Sequence, residues 1–426
     1  MSHFGGSTWP DLLLHAQHTS LSEDDMKNDG SNLQSRIWPL AAAAVGVLSL
    51  VACGGTDEGA AEPALDDVGV AYEGLSSHWG WAHTDHANPY TNRCVNDAAS
   101  SVNGLYDPSY VMAYRSGSDA CSAYAPTTGA GLIHHQGIQR LARDYNYLLV
   151  TTSVQGGARP GFEVVRLGSL SNNPWLLGRN AYPSRLPSCS DAIVRYQPDD
   201  SGMPYDHSGG LQVNGEYVIV PFENNDDQAT AGFRIARLSN PLNPQWSPLV
   251  LRTRGQTVNA GAVSLTLLSS GRYLALVFGH NSDDVEVFVS SEAAMPYFGS
   301  SSSTWVSQAS VSTPFGGAEY QGLQLVTQCD GQLFVAGTHR NKWFDEDWVD
   351  LWRVDLGATF VPSFTEVASR HMSCSSAATG NKRYCAFDAG AGIYVDPDGE
   401  ILLYGVEHYN DAYPGTTRAV KVREFP

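Results

Sequence analysis

Imidazole and carboxylate side chains recur in this chain at the points where short apolar runs begin and end. Histidine exchanges a proton near neutral pH and binds transition metals, and carboxylates serve as acids, bases or metal ligands. The residues that precede five such runs, here called the approach residues, are His134, His207, Asn259, Glu319 and Asp388. The residues that follow the next apolar run, here called the exit residues, are Ser153, Asn224, His280, His339 and His408, with Glu223 and Glu407 beside them.

Three kinds of chemistry fit these side chains. A divalent metal ion could polarise a substrate or brace the site, a carboxylate pair could act on a glycan, and a histidine could act as the base of a polysaccharide lyase. The metal candidates and the catalytic candidates are the same four residues: His134, His207, Glu319 and Asp388, with Glu319 and Asp388 as the acid/base pair. The candidates for neutralising a uronate in a lyase are Arg340 and Arg140. The candidates for ligand contacts are Asn259, Asn224, His280, His339 and His408.

The elements that must position these residues form a repeat. In each copy, a bend of small residues leads into an apolar strand, and a tight turn leads into a second one. Turns such as Asn214-Gly215 and Asp330-Gly331 suit hairpins because Gly, Asn and Asp tolerate a positive φ. The second strands are continuous apolar runs, which predicts burial on both faces. The third strands alternate, which predicts one buried face and one wetter face.

Five copies recur about every 60 residues, and this spacing with three or four strands per unit predicts an all-β chain folded as a β-propeller. We expect five blades, and six is the alternative. The fifth copy ends at its third strand, so the segment 110–114 should supply the missing strand and close the ring. That segment could instead belong to a sixth, divergent blade within residues 73–130. A sandwich of similar strands is the other alternative.

The propeller prediction brings the two polar sets together. The first strand of each blade lines the central channel, and the antiparallel second strand returns its end to the same face. The approach and exit residues should therefore converge at one mouth of the channel. This plan resembles five-bladed glycosidases, which implies acid/base roles for Glu319 and Asp388; those enzymes normally have a third acid, where this chain has His, His and Asn. The alternative is that these side chains only satisfy strand ends and bind water.

The N-terminal region has the pattern of an exported protein. Residues 37–52 are apolar and small, and Leu50-Val51-Ala52-Cys53 resembles the lipobox of bacterial lipoproteins. The resemblance implies that Cys53 is lipidated and anchors the mature protein in the cell envelope, facing the periplasm or the exterior. An ordinary signal peptide is the alternative. The expected segments are an N-terminal extension and signal peptide over 1–52, a flexible tether over 53–72, and the propeller domain over 73–426.

The cysteine content agrees with export. Six of the seven cysteines lie beyond Cys53, and an even number in an exported chain predicts disulfides. No CxxC motif occurs, which argues against a thiolate zinc site. Six cysteines allow fifteen connectivities, so the pairing stays open. The pairing expected from sequence proximity is Cys374 with Cys385, Cys94 with Cys121, and Cys189 with Cys329.

The charge balance limits the possible partners. The chain has 44 acidic and 25 basic residues and a net charge of −19. No cluster of lysine or arginine is present, which argues against binding nucleic acid through its phosphates. The resulting hypothesis is a membrane-anchored, extracytoplasmic propeller that binds a ligand or partner at the channel mouth, with carbohydrate as one ligand class. The alternative is a glycan-active enzyme, a glycoside hydrolase or a lyase, for which a divalent metal is an option. A purely structural envelope component is a third class.

Overall fold

In a computed structural model of the chain, the repeats form five antiparallel sheets that are the blades of a β-propeller. All residues that the structure describes lie within one unit, Asp66–Pro426. Among them, no helix has the length and apolar character needed to cross a membrane. The described residues are 79–84, 91–105, 110–115, 133–141, 147–154, 158–166, 193–196, 205, 207–224, 230–255, 259–298, 302–315, 317–341, 346–372, 387, 390–406 and 419–425.

The blades are numbered in chain order, and each begins with its innermost strand. Blade 1 contains β2 (Ile133–Arg140), β3 (Tyr147–Val154), β4 (Ala158–Arg166) and β5 (Ile193–Tyr196). Blade 2 contains β6 (Gln212–Asn214), β7 (Tyr217–Glu223) and β8 (Ala231–Arg237), with β9 (Gln245–Trp246) and β10 (Val250–Leu251) both paired to β8. Blade 3 contains β11 (Ala262–Leu267), β12 (Tyr273–Phe278), β13 (Asp284–Ser290) and β14 (Trp305–Ser312). Blade 4 contains β15 (Gly322–Thr327), β16 (Leu333–Asn341), β17 (Glu346–Leu356) and β18 (Pro362–Met372). Blade 5 contains β19 (Gly390–Val395), β20 (Ile401–Val406), β21 (Ala419–Phe425) and β1 (Tyr110–Arg115).

The ring closes as the sequence predicts. The N-terminal strand β1 pairs with the C-terminal strand β21, so the two ends of the propeller share blade 5. Five apolar clusters lie between adjacent blades, and one of them packs Ile138 and Val150 of blade 1 against Tyr404 of blade 5. The five-bladed propeller and its closing strand are therefore confirmed.

The second strands are buried as predicted, but the third strand of blade 3 is not half-exposed. All residues of β12 and β20 are buried, and so is every residue of β13. The charged residues of β13 are buried because Arg252 reaches them: its guanidinium lies 2.6 Å from Asp284 Oδ2 and 3.8 Å from Glu286 Oε2. An alternating pattern predicted a wet face here, and that prediction is wrong because the charged side chains find partners inside the protein.

A segment before the first blade covers the end of the propeller opposite to the approach residues. It contains the helix α1 (Ala98–Gly104), which packs in the cluster between blades 4 and 5. Asn92 donates to Val213 O at 2.6 Å, and Cys94 forms a disulfide with Cys329. The expected pairs Cys94–Cys121 and Cys189–Cys329 are therefore wrong, because this segment crosses to blade 4. The remaining cysteines lie outside the described residues.

The axis is filled where the inner strands meet. Gln212 crosses it: its Nε2 donates to Leu325 O at 2.6 Å, and its Oε1 accepts from Leu325 N and Leu265 N, both at 2.9 Å. A Cβ on Gly210 would lie 2.2 Å from the carbonyl oxygen of Gln321, so blades 2 and 4 touch directly. The channel assumed from the repeat is thus closed by side chains and backbone at this level.

Replacing Gln212 with methionine tests this role. The variant keeps the shape of the side chain but leaves two buried N–H groups and one carbonyl without partners, so we expect it to lower the free energy of unfolding by about 2–4 kcal/mol. Urea unfolding with an unchanged m-value measures the loss. The matched control is Gln308→Met on β14, where the side chain reaches only Val306 O at 3.4 Å near solvent. Equal stability of the two variants would show that the axis tolerates unpaired backbone groups.

Candidate functional site

In blades 1 to 4, the approach and exit segments meet at one end of the propeller. In blade 1, His134 is the strand partner of Ser153. His207 and Glu223 form a β-bridge in blade 2, with backbone bonds of 3.2 and 3.0 Å. The convergence follows from the antiparallel pairing of the first two strands, as the repeat predicts.

Blades 3 and 4 follow the same plan. The Oδ1 atom of Asn259 accepts from the backbone N–H of His280 at 2.9 Å. The rings of Tyr320 and His339 lie edge-to-face with centroids 4.9 Å apart. Each of blades 1 to 4 therefore delivers one residue from its approach segment and one from its exit segment to the mouth; Asp388 and His408 of blade 5 lie outside the described residues.

Contacts between blades join these pairs into one network. Ser208 N donates to Ser153 Oγ at 3.5 Å, which links blades 2 and 1. Ser282 Oγ donates to Tyr320 O at 3.0 Å, which links blades 3 and 4. Between these links, Glu223 of blade 2 contacts blade 3. The polar groups of four blades thus share one surface.

Glu223 is the centre of this network. Its Oε1 atom lies 2.7 Å from His207 Nδ1 and 3.2 Å from His280 Nδ1. Its Oε2 atom accepts from Ala260 N at 2.6 Å, which fixes the orientation of the carboxylate. The side chains of Glu223 and His207 are 1% and 7% exposed, whereas that of His280 is 40% exposed. The cluster is therefore buried on one side and open to solvent on the other.

Local structure places each member of the cluster. Glu223 is the last residue of β7, and all seven residues of that strand are buried. His280 begins the turn after β12, in which Gly279 N donates to Asp284 O and Ser282 adopts a φ of 58°. The repeat predicts both residues at the mouth from their exit positions, but it does not group them. The signal that could have grouped them is the adjacency of blades 2 and 3 along the chain.

The environment of Glu223 favours its charged form. Burial raises the pKa of a carboxyl group, but the hydrogen bonds and positive potential of His207 and His280 outweigh this effect, and the pKa of Glu223 lies below its usual range. An ionised carboxylate is thus held between two imidazoles. Each of the three residues offers one ligand atom within 4.8 Å of the others, so the cluster could hold a metal ion.

The cluster differs from the metal set expected from the sequence. Only His207 belongs to both sets among the described residues; His134 and Glu319 are not part of the cluster, and Asp388 lies outside the described residues. His134 instead lies with its Nδ1 2.7 Å from Gln136 Nε2. His408, Glu407 and Cys53 also lie outside the described residues.

The remaining predicted residues lie in different settings. Asn224 and Asn259 are buried. Glu319 is half-buried and has a φ of 49°, a backbone conformation that is uncommon for a residue other than glycine. Arg140 is at the other end of β2 from His134, about 20 Å away at strand spacing, and it packs over the Tyr394 ring. Arg140 therefore cannot neutralise a ligand held at the approach residues.

A second buried network lies beside the first, in blade 4. Asp350 Oδ2 lies 2.9 Å from His339 Nε2 and also accepts a short hydrogen bond from Tyr320 Oη, while Oδ1 accepts from Ser369 Oγ at 2.6 Å. Burial alone would raise the pKa of Asp350. Its hydrogen bonds lower the pKa by more than burial raises it, so the pKa lies below the usual value. His339 was predicted from its exit position; Asp350 was missed because it lies inside the alternating strand β17, where a polar residue indicates a wet face.

A cavity at the opposite end of the axis is separate from both networks. Residues 91–93 cover it, and the ends of the inner strands line it, including Gln139, Gln212 and Thr327. None of the residues of the Glu223 cluster contributes to its wall. This cavity and the ionisable groups of the mouth thus lie at different ends of the propeller.

Comparisons with known proteins give no family. No family model matches the chain, and no curated protein matches it. Among solved structures, the chain is similar to a fructofuranosidase from Schwanniomyces occidentalis in complex with fructose (8% identity, TM-score 0.39, 70% of this chain and 56% of that one). It is also similar to an exo-1,5-α-L-arabinanase from a bovine ruminal metagenomic library (12% identity, TM-score 0.35, 70% of this chain and 94% of that one).

A third similar structure is a DUF4623 family protein from Bacteroides eggerthii DSM 20697 (11% identity, TM-score 0.34, 69% of this chain and 70% of that one). This chain spans 56% of the length of the fructofuranosidase chain. At such identities and TM-scores, the similarities carry no information on what this chain binds or transforms.

The substitution Asp350→Asn tests the second network. It removes a charge that is hydrogen-bonded to His339, Ser369 and Tyr320, and we expect a loss of about 1–3 kcal/mol in unfolding free energy at pH 7. Because the pKa of Asp350 is depressed in the folded protein, its stabilisation is complete above the unfolded pKa of about 3.9 and is lost as the pH falls below it. The difference between wild type and variant should therefore shrink below about pH 4.

Urea unfolding at several pH values between 7 and 3 measures this difference. Asp355→Asn on the same strand is the control, because Asp355 forms an exposed ion pair with Arg353 and should change stability by less than about 1 kcal/mol. A difference for Asp350→Asn that does not vary with pH would show that the ionised carboxylate does not stabilise the fold.

Proposed function

We propose that this protein binds a neutral, hydroxyl-rich ligand, a carbohydrate, at the mouth formed by the approach and exit residues. The observation that supports this most is the network around Glu223, in which buried ionisable groups are held in fixed orientation and one imidazole faces solvent. Burying ionisable groups costs free energy, and a role in binding a ligand accounts for that cost. Polar groups that converge at the end of a rigid scaffold are typical of ligand sites.

The ligand class follows from the charge and the type of the polar groups. Asn224, His280 and His339 can each donate or accept hydrogen bonds, which suits hydroxyl groups. The net charge of −19 disfavours long polyanions at this surface. A neutral sugar therefore fits the mouth better than an acidic polymer.

The alternative function is an enzyme acting on a glycan. The pair formed by His339 and Asp350 favours it, because a carboxylate that binds one imidazole nitrogen orients the ring and stabilises its protonated form. His339 would then move a proton at the ligand, and Asp350 would act through it. In this alternative Glu319, next to Tyr320 in the chain, is the candidate partner acid or base.

The location of the protein is part of the proposal. The disulfide between Cys94 and Cys329 indicates an oxidising, extracytoplasmic environment. The lipobox-like sequence at Leu50–Cys53 supports anchoring through a lipid on Cys53, in the envelope of a bacterium. The propeller would then be displayed to the periplasm or to the exterior.

Anchoring is tested by Cys53→Ser in a bacterial host. The variant should lose incorporation of labelled fatty acid and move from the membrane fraction to the soluble fraction, because no thiol remains to be lipidated. Cys329→Ser is the control, since it removes a disulfide and leaves the lipidation site intact. Fatty-acid labelling that persists in Cys53→Ser would refute the anchor at this residue.

Ligand binding is tested with a panel of neutral and acidic oligosaccharides. We expect a neutral member to bind the wild-type protein and to bind His280→Ala at least about tenfold more weakly, a loss of about 1.4 kcal/mol in binding free energy. His371→Ala is the matched control, because His371 is exposed on the outermost strand of blade 4 and its ring is tilted against that of Trp348. Calorimetry measures the affinities, and urea unfolding confirms that both variants fold.

The same panel distinguishes the two functions. Products released by the wild type but not by His339→Ala would establish the enzyme, and binding without products would establish the binding protein. Equal affinity of wild type and His280→Ala would place the ligand elsewhere on the molecule. Binding of acidic oligosaccharides alone would overturn the ligand class.

A further inference from the structure

We propose that His207, Glu223 and His280 bind a divalent transition metal ion, with Zn²⁺ as the probe that fits them best. The ion would be held by three side chains and would keep one coordination position open to solvent. This inference does not depend on the carbohydrate proposal, because a metal site can be occupied whether or not a sugar binds. It replaces the four-residue set expected from the sequence.

The ligand atoms already converge. The Nδ1 atoms of His207 and His280 lie 2.7 and 3.2 Å from the same oxygen of Glu223. Ligands on a tetrahedral zinc ion at bonds of about 2.0–2.2 Å are roughly 3.3–3.6 Å apart. A small opening of the cluster would therefore admit the ion without moving a strand.

Groups outside the cluster hold these ligands in place. The second oxygen of Glu223 accepts from Ala260 N at 2.6 Å, and the backbone of His280 is tied to Asn259 Oδ1 at 2.9 Å. Asn259 O in turn accepts from Arg252 Nη1 at 2.5 Å. Such outer contacts orient ligands and are a regular part of metal sites.

Charge gives a reason for a cation at this place. The Glu223 side chain is 1% exposed, and buried carboxylates are found paired with cations or metals. Among the described residues, its side-chain partners are the imidazoles of His207 and His280, and each can bind a metal through the nitrogen that now faces the carboxylate. A divalent ion between the three groups would compensate the buried charge.

The chemistry of the ligands selects the class of metal. Two imidazole nitrogens and one carboxylate suit Zn²⁺ and its neighbours in the transition series, whereas Ca²⁺ and Mg²⁺ prefer oxygen ligands alone. Two histidines and a glutamate are also a ligand set of catalytic zinc sites, which keep a position for water or substrate. The exposure of His280, at 40%, places the open position on the solvent side.

Metal binding is tested on the purified full-length chain after dialysis against a chelator. We expect wild type to bind one Zn²⁺ per chain by calorimetry, and Ca²⁺ to give no saturable binding. Substitution with Co²⁺ should give the visible absorption of a tetrahedral site. His280→Ala and Glu223→Gln should each weaken Zn²⁺ binding by about 100-fold or more.

The variants separate this site from other histidines. His371→Ala should bind Zn²⁺ as wild type does. His83→Ala should also bind Zn²⁺ as wild type does. This variant tests a competing site, because the segment from His78 to His86 contains three histidines. If Glu223→Gln fails to fold, His280→Ala still decides the question, because His280 is the exposed member of the cluster.

Three results would overturn the proposal. The first is wild-type protein that binds no Zn²⁺ at concentrations up to about 100 µM, which corresponds to a free energy weaker than about −5.5 kcal/mol. The second is Zn²⁺ binding that His83→Ala abolishes and His280→Ala does not change. The third is saturable binding of Ca²⁺ in preference to Zn²⁺, which would contradict the role of the imidazoles.

Discussion

The free edges of the five inner strands are the constraint on which the rest of the structure depends. Each inner strand is hydrogen-bonded to the second strand of its blade along one edge, and its other edge faces the axis. The blades are in contact there, so water cannot form a hydrogen bond with every N–H and C=O group of that edge. Three side chains bind these groups across the axis. Gln212 donates to Leu325 O, Gln139 accepts from Val213 N at 2.7 Å, and Ser264 donates to Leu323 O at 2.7 Å. Neutral amides and hydroxyls thus join the ring where an unpaired backbone group would be costly.

A filled axis moves the ionisable groups to the strand ends. Blades 2 and 3 are joined by parallel backbone bonds, from Gly210 N to Gly261 O at 2.9 Å and from Val263 N to Gly210 O at 3.0 Å. This close joint brings the end of β7 next to the turn that follows β12. Glu223 therefore reaches the ring of His280, which belongs to another blade, although neither residue lies on an inner strand. The geometry of the cluster is a consequence of the contact between inner strands.

The sequence predicts features that are formed within one blade, and it misses contacts that form between two blades. Hairpin turns and strand periods specify each sheet, and the missing fourth strand after β21 indicates how the ring closes. The meeting of His207 with Glu223 within blade 2 also follows from antiparallel pairing. The contact with His280 and the disulfide from Cys94 to Cys329 depend on how blades and segments pack around the ring. Asp350 was missed because its strand is longer and more buried than its alternation implies.

Two clusters of buried charged residues lie near the mouth, and they differ in how the charge of their carboxylates is compensated. Arg252 binds Asp284 and lies near Glu286, and Glu286 also accepts from Thr253 N and Ser307 Oγ, so one guanidinium and neutral donors of the protein stabilise both carboxylates. Glu223 has imidazoles in place of a guanidinium, and imidazoles carry a full charge only when protonated. The carboxylates of the first cluster, around Arg252, thus have a permanently charged partner inside the protein. The second holds its carboxylate beside groups that bind metals and faces solvent on one side, which is the arrangement expected where the compensating charge comes from outside.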